Sequence, residues 1–175
     1  LYGANYDTQS GDTVYTWSST TGELSIDGVV ELSPDDNRVF QTVWDGDGED
    51  TYDFSDYSTG VEVNLAPGSW SMTDLDQLAD LGGGQFALGN VYNALLFDGD
   101  LRSIIENAIG GSGNDTLVGN QVSNRLDGGD GHDADRFVEH ADLQRDIDER
   151  LLLHLQHDAF LHELLEALER RFQFI

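Results

Sequence analysis

The residues in this chain best suited to chemistry are aspartates set beside glycines. Gly110-Gly111-Ser112-Gly113-Asn114-Asp115 and Gly128-Gly129-Asp130-Gly131-His132-Asp133 both read G-G-x-G-x-D, in phase and 18 residues apart. Upstream, Asp45-Gly46-Asp47-Gly48 leads to Asp50, and Gly11-Asp12, Asp27-Gly28 and Asp127-Gly128 repeat the pairing. Tight turns of this composition offer carboxylates together with converging backbone carbonyls, because glycine tolerates positive φ. That is the donor set of a hard cation, and calcium takes roughly six to eight such oxygens. A merely solvated acidic surface is the competing reading of the same residues.

Other chemistries find less support. With no cysteine, disulfide scaffolds, thiolate zinc sites and cysteine nucleophiles are excluded. All 5 histidines lie at or after His132, so no Ser/His/Asp arrangement is expected. His162-Glu163-Leu164-Leu165-Glu166 reads HExxE and lacks the second imidazole of a zinc helix. His154 and His157 fit the polar face of a helix. Gly82-Gly83-Gly84 has no following lysine or helix start with which to hold phosphate. The Asn114-Asp115-Thr116 sequon overlaps a candidate cation turn.

Charge narrows the partners. Against 34 acidic residues stand 8 basic ones, all arginine, for a formal net charge of −26 over 175 residues. Such a surface repels nucleic acid and anionic membranes. No apolar run approaches the roughly 18 residues of a membrane span, and the N-terminus shows no signal-peptide pattern. The excess is uneven: residues 1–135 hold 25 acids and 3 arginines, residues 136–175 hold 9 and 5. Without neutralisation, so many like charges would oppose folding.

The elements that must position these turns are short strands. Val14-Tyr15-Thr16-Trp17, Val39 to Trp44 and Val61-Glu62-Val63-Asn64-Leu65 are β-branched and aromatic, the last in strict alternation. Ala66-Pro67-Gly68-Ser69 reads as a turn, and Asp74 to Leu81 as a short helix. From Gly110 the chain is periodic with period nine: Gly110 to Val118, Gly119 to Asp127, then Gly128 onward. Leu117 and Leu126 occupy the apolar slot. The middle unit lacks paired glycines and has Asn124 where the others have aspartate. This is the nonapeptide pattern of calcium-binding parallel β-helices. Six residues turn about a cation and three form a strand, so units two apart stack. Asp115 and Asp133 are therefore expected to face one ion. Asp135-Arg136-Phe137-Val138 is expected to break the phase. Glycine stops at Gly131, and Ala141 to Phe174 has no Gly or Pro, with Leu161, Leu164, Leu165, Leu168 and Phe172 at helical spacing. Asp146 and Glu149 mark a helix start. The expected organisation is a mainly β domain over 1–135, with roll repeats at 110–133, and a helical tail over 136–175.

Leu1-Tyr2-Gly3-Ala4-Asn5 and Gly11-Asp12-Thr13-Val14-Tyr15 resemble the junction that follows the catalytic domain in serralysin-type secreted zinc metalloproteases. Thr42 to Asp45, Glu49-Asp50-Thr51, Asp53-Phe54-Ser55 and Ile105 to Asp115 continue the similarity, over roughly residues 1 to 133. The resemblance implies a C-terminal β-sandwich and parallel β-roll that binds several calcium ions. It also implies an extracellular location, an upstream protease domain as partner and a type I secretion apparatus. By position it implies one site from the carbonyls of Gln9, Gly11 and Thr13 with Asp45, Asp47 and Asp50. A second would use Gly48, Asp50, the Ile104 carbonyl and Glu106. A third would use Gly111, Gly113, Asp115, Gly128, Asp130, Gly131 and Asp133. The HExxHxxGxxH zinc motif and methionine turn of the family are absent; Met72 stands alone. No catalytic activity is therefore expected of this chain, and zinc belongs only to the family's catalytic domain. Phe86 to Phe97 reads as a local variation. A calcium-dependent adhesion or surface-layer module, and the roll of another secreted hydrolase such as a lipase, remain open. For the tail, a cap on the roll, a secretion segment and unrelated sequence remain open.

Overall fold

The computed structural model describes residues 3–137; the expected helical tail, with its HExxE segment, lies outside them. The described chain is mainly β. Its strands are β1 (Val14–Trp17), β2 (Leu24–Ile26), β3 (Val29–Leu32), β4 (Gln41–Val43), β5 (Thr51–Asp53), β6 (Glu62–Asn64) and β7 (Trp70–Ser71). They continue as β8 (Asp80–Gly82), β9 (Gln85–Phe86), β10 (Val91–Asn93), β11 (Asn107–Ile109), β12 (Thr116–Val118), β13 (Arg125–Asp127) and β14 (Ala134–Arg136). Two 3-10 turns, Leu75–Gln77 and Leu101–Ser103, are the helical elements among the described residues.

One sheet runs β13-β11-β5-β1-β2-β3 and a second runs β14-β12-β6. From β11 onward the strands alternate between these two sheets, each starting nine residues after the last, at 107, 116, 125 and 134. Parallel pairing joins strands two units apart: Ala108 opposes Leu126, and Leu117 opposes Asp135. The same ladders reach back, Ala108 to Tyr52 and Leu117 to Val63. Parallel partners in register point the same way, so Tyr52, Ala108 and Leu126 share one inward row, and Val63 and Leu117 another. These side chains fill the core together with Trp17, Phe54 and Tyr57. Trp17 stacks on Phe54 at 5.1 Å between centroids, and Tyr52 meets Trp17 edge-on at 5.3 Å. A smaller sheet, β4-β10-β7, and a β8-β9 hairpin complete the described fold.

Two local expectations are corrected. The segment from Asp74 to Leu81 is a single 3-10 turn followed by β8, not a helix. Gln77 explains this. Its side chain is buried, accepting from Tyr57 Oη at 2.8 Å and donating to the Ser18 carbonyl at 2.9 Å. Those tertiary bonds hold the turn against the core, and Leu78 is already extended. The phase does not break at Asp135 either, since β14 pairs in register with β12. Backbone pairing carries the period where the side chain does not, and Asp135 takes the inward position that Leu117 holds one strand away. Although Asp135 is exposed, some loss of hydration and the neighbouring Asp133, Asp127 and Asp115 raise its carboxyl above its ordinary range.

Candidate metal centre

The upstream acidic loop and the strand before the repeats meet across a long stretch of sequence. Asp45 and Asp50 are wholly buried, and the two carboxyl groups adjoin. Asp50 Oδ1 accepts from the Thr13 backbone N–H at 2.9 Å, while its own N–H donates to Glu106 Oε2 at 2.8 Å. Asp50 Oδ2 is buried with no hydrogen-bond partner. Tyr15 donates from its phenol to Asp45 Oδ2 at 2.7 Å, and the Asp47 N–H donates to Asp45 Oδ1 at 3.2 Å. Gly48 passes so close to the Gly11 carbonyl that a side chain there would collide with it, at a φ of 147°. Thr13 Oγ1 donates to that same carbonyl at 2.7 Å. Gln9 adopts a left-handed φ of 48°. Ile104 is buried, and its N–H closes a turn onto Leu101.

The electrostatics of this cluster are unfavourable without a cation. Burial pushes the Asp50 carboxyl up to about 8, with the charges of Asp45 and Glu106 adding to the rise and the Thr13 N–H opposing it. Burial likewise lifts Glu106 to about 7 and raises Asp45. The ion pairs among the described residues are Arg102–Asp100 and Arg125–Asp127, both at the surface. No arginine among them therefore compensates the buried acids. Buried carboxylates without a partner cost several kcal/mol each unless a cation or proton neutralises them. Asp45, Asp50 and Glu106 offer hard oxygen donors, and the orphaned Asp50 Oδ2 lacks only a positive partner. These residues fit calcium. Among the described residues no three His, Cys, Asp or Glu side chains converge as an all-side-chain metal cluster.

The repeat turns stack as their spacing demands. Asp115 is buried; its Oδ2 accepts from the Gly111 N–H at 2.7 Å and its Oδ1 from the Val61 N–H at 2.8 Å. Its backbone N–H donates to Asp133 Oδ1 at 3.0 Å. The Asp130 N–H donates to the Gly111 carbonyl, and the Ala134 N–H to the Asp115 carbonyl. Gly113 and Gly131 face each other so closely that a methyl on Gly131 would overlap the Gly113 carbonyl. Gly128 abuts the Asp133 side chain. Asp130 itself is exposed. Two contributors escaped sequence reasoning. Tyr15 reads only as a strand aromatic, and Asn120 only as part of a degenerate repeat. Nothing local signalled the partner of Tyr15.

The family model for the peptidase M10 serralysin C-terminal region matches residues 4–155. Metallopeptidase AprA of Pseudomonas marginalis is 42% identical over 124 residues, covering 71% of this chain and 22% of that protein. Serralysin G of Dickeya chrysanthemi is 39% identical over 127 residues, covering 73% and 22%, and serralysin of Proteus mirabilis 39% over 126, covering 72% and 21%. The chain thus spans about a fifth of the length of the relatives it matches. No helix among the described residues is long and apolar enough to cross a membrane. With the match covering most of its length, this chain belongs to the serralysin C-terminal family, and what it represents is the non-catalytic domain of those metalloproteases.

Proposed function

We propose that the domain binds several calcium ions, folds as a calcium-loaded β-roll joined to a β-sandwich, and supports secretion and stability of a serralysin-like metalloendopeptidase outside the cell. The observation that carries this reading is the buried, unpartnered Asp50 Oδ2 beside Asp45 and Glu106. Gln9, Gly11 and Thr13 would give carbonyls to one ion with Asp45, Asp47 and Asp50. Gly48, Asp50, Ile104 and Glu106 would hold a second. Gly111, Gly113, Asp115, Gly128, Asp130, Gly131 and Asp133 would hold a third between stacked turns. A bound cation would neutralise the adjoining Asp45 and Asp50 carboxylates. The partners are then the upstream protease domain and a type I secretion apparatus, with zinc confined to that protease domain. The relatives named above are metalloproteases, which supports this reading over an adhesion module or a lipase roll.

Extracellular calcium modules have dissociation constants of about 10⁻⁴ to 10⁻³ M. At tenfold excess each site adds roughly 1.4 kcal/mol, and three add about 4 kcal/mol, a large share of a typical stability of ~5–15 kcal/mol. Circular dichroism in chelator and then in millimolar calcium tests this. The expected result is a large gain in β signal and melting temperature; identical spectra and melts would overturn it.

A further inference from the structure

The middle repeat places a carboxamide where its neighbours place a carboxylate, and the surrounding atoms show what that exchange does. Gly110, Gly119 and Gly128 open the three units. A Cβ on each would run into the side chain of Asp115, Asn124 and Asp133 respectively, so these three side chains hold equivalent positions. Asp115 Oδ2 closes its turn by accepting from the Gly111 N–H at 2.7 Å, and Asn124 Oδ1 closes its own by accepting from the Asn120 N–H at 2.8 Å. The second atom differs. Asn124 Nδ2 donates to the Glu106 carbonyl at 2.8 Å and to Asn120 Oδ1 at 2.9 Å. Asn120 cannot turn its oxygen away: its own Nδ2 is held by the carbonyls of Leu65 at 3.1 Å and Ile105 at 2.7 Å, and it is buried.

We propose that the Asn124 amide occupies the role of a cation in the 119–124 turn, tying it to the Glu106 segment without metal. Asn124 is thereby the residue that frees this turn from any need for calcium. An aspartate here would bring a carboxylate oxygen against two acceptors, the Glu106 carbonyl and Asn120 Oδ1, with no hydrogen between them. Three oxygens at such distances need a cation or proton at their centre. The wild-type amide closes this turn at any calcium level. This rests on the calcium reading only for what the aspartate would recruit; the amide clasp stands on its own hydrogen bonds.

The test compares the full chain with Asn124→Asp and Asn124→Ala by urea unfolding across a range of free calcium, with equilibrium dialysis to count bound ions. N124A should lose the same stability at every calcium concentration, with no change in ion count. N124D should be less stable than N124A in chelator. Its folding constant relative to wild type should be flat at calcium below the dissociation constant of the added site and rise about tenfold per tenfold rise in calcium above it, with one more ion bound. An N124D deficit that does not vary with calcium, failure of N124D to fold at any calcium concentration, or an N124D as stable as N124A in chelator would each overturn the proposal. So would an N124A indistinguishable from wild type. A wild-type chain that gains no stability from calcium would instead refute the proposed function, and N124D falling below N124A would still report the clasp.

Discussion

Tyr15 and Asp45 show how one hydrogen bond joins the acidic cluster to the core. The phenol is buried among Trp17 and Tyr52 and donates at 2.7 Å to a carboxylate that no arginine among the described residues reaches. Burial and the adjacent carboxylates raise its pKa well above the usual phenol value, so it remains a donor at any physiological pH. Partners of this kind orient metal ligands, and losing one typically weakens binding about 10- to 100-fold. Tyr15→Phe should weaken one calcium site by at least about tenfold and leave the repeat site unchanged, as read by isothermal titration calorimetry. At the repeat site, Asp115→Ala and Asp133→Ala should each remove the same ion, so the double variant loses no more than either single one. Additive losses would mean that the two turns do not share a site. Asp130→Asn should have the smaller effect, because its side chain is exposed.

At the scale of elements, three-residue strands cannot persist alone, and the stack is held by its inward rows. Leu117 is fully buried between Val63 and the opposite sheet, whereas Leu126 is only partly covered at the end of its row. Leu117→Ala should cost about 2–5 kcal/mol and leave a cavity, and Leu126→Ala clearly less. Urea denaturation in saturating calcium measures both. Equal losses would mean that the two positions are not graded along the row. The repeat itself was legible before folding, because period nine with G-G-x-G-x-D is written in contiguous residues. The short helix expected over Asp74 to Leu81 was not refuted by anything local; the core bonds of Gln77 decided it. Asp135 looked like a break in phase because the period was sought in side chains, while backbone pairing maintains it.

For the whole molecule the governing quantity is negative charge. In the folded chain burial pushes the Asp50 and Glu106 carboxyls up to about 8 and 7, from ordinary values of 3.8 and 4.5. Between those limits the folded chain without calcium holds more protons than the unfolded chain, so its stability falls as pH rises from about 4 to 8. Thermal melts in chelator should therefore decline across that window. Saturating calcium should flatten or reverse the trend, because the ion favours the deprotonated ligands. Asp50→Asn should reduce the decline in chelator. A melting temperature in chelator that is constant or rising from pH 5 to 8 would contradict the buried-carboxylate account.

By itself the sequence determined the mainly β class, the nine-residue period and the apolar slots of Leu117 and Leu126. All of these depend on residues a few positions apart, where spacing alone sets which side chains share a face. Only the tertiary structure decided that Asp50 reaches Glu106 across 56 positions, and that Tyr15 holds Asp45. It likewise decided that the Asn120 and Asn124 amides reach the carbonyls of Leu65, Ile105 and Glu106. Those are contacts between segments carried by different strands. They follow from which strands pair and in what register, and a buried polar atom finds its partner only once that register is set.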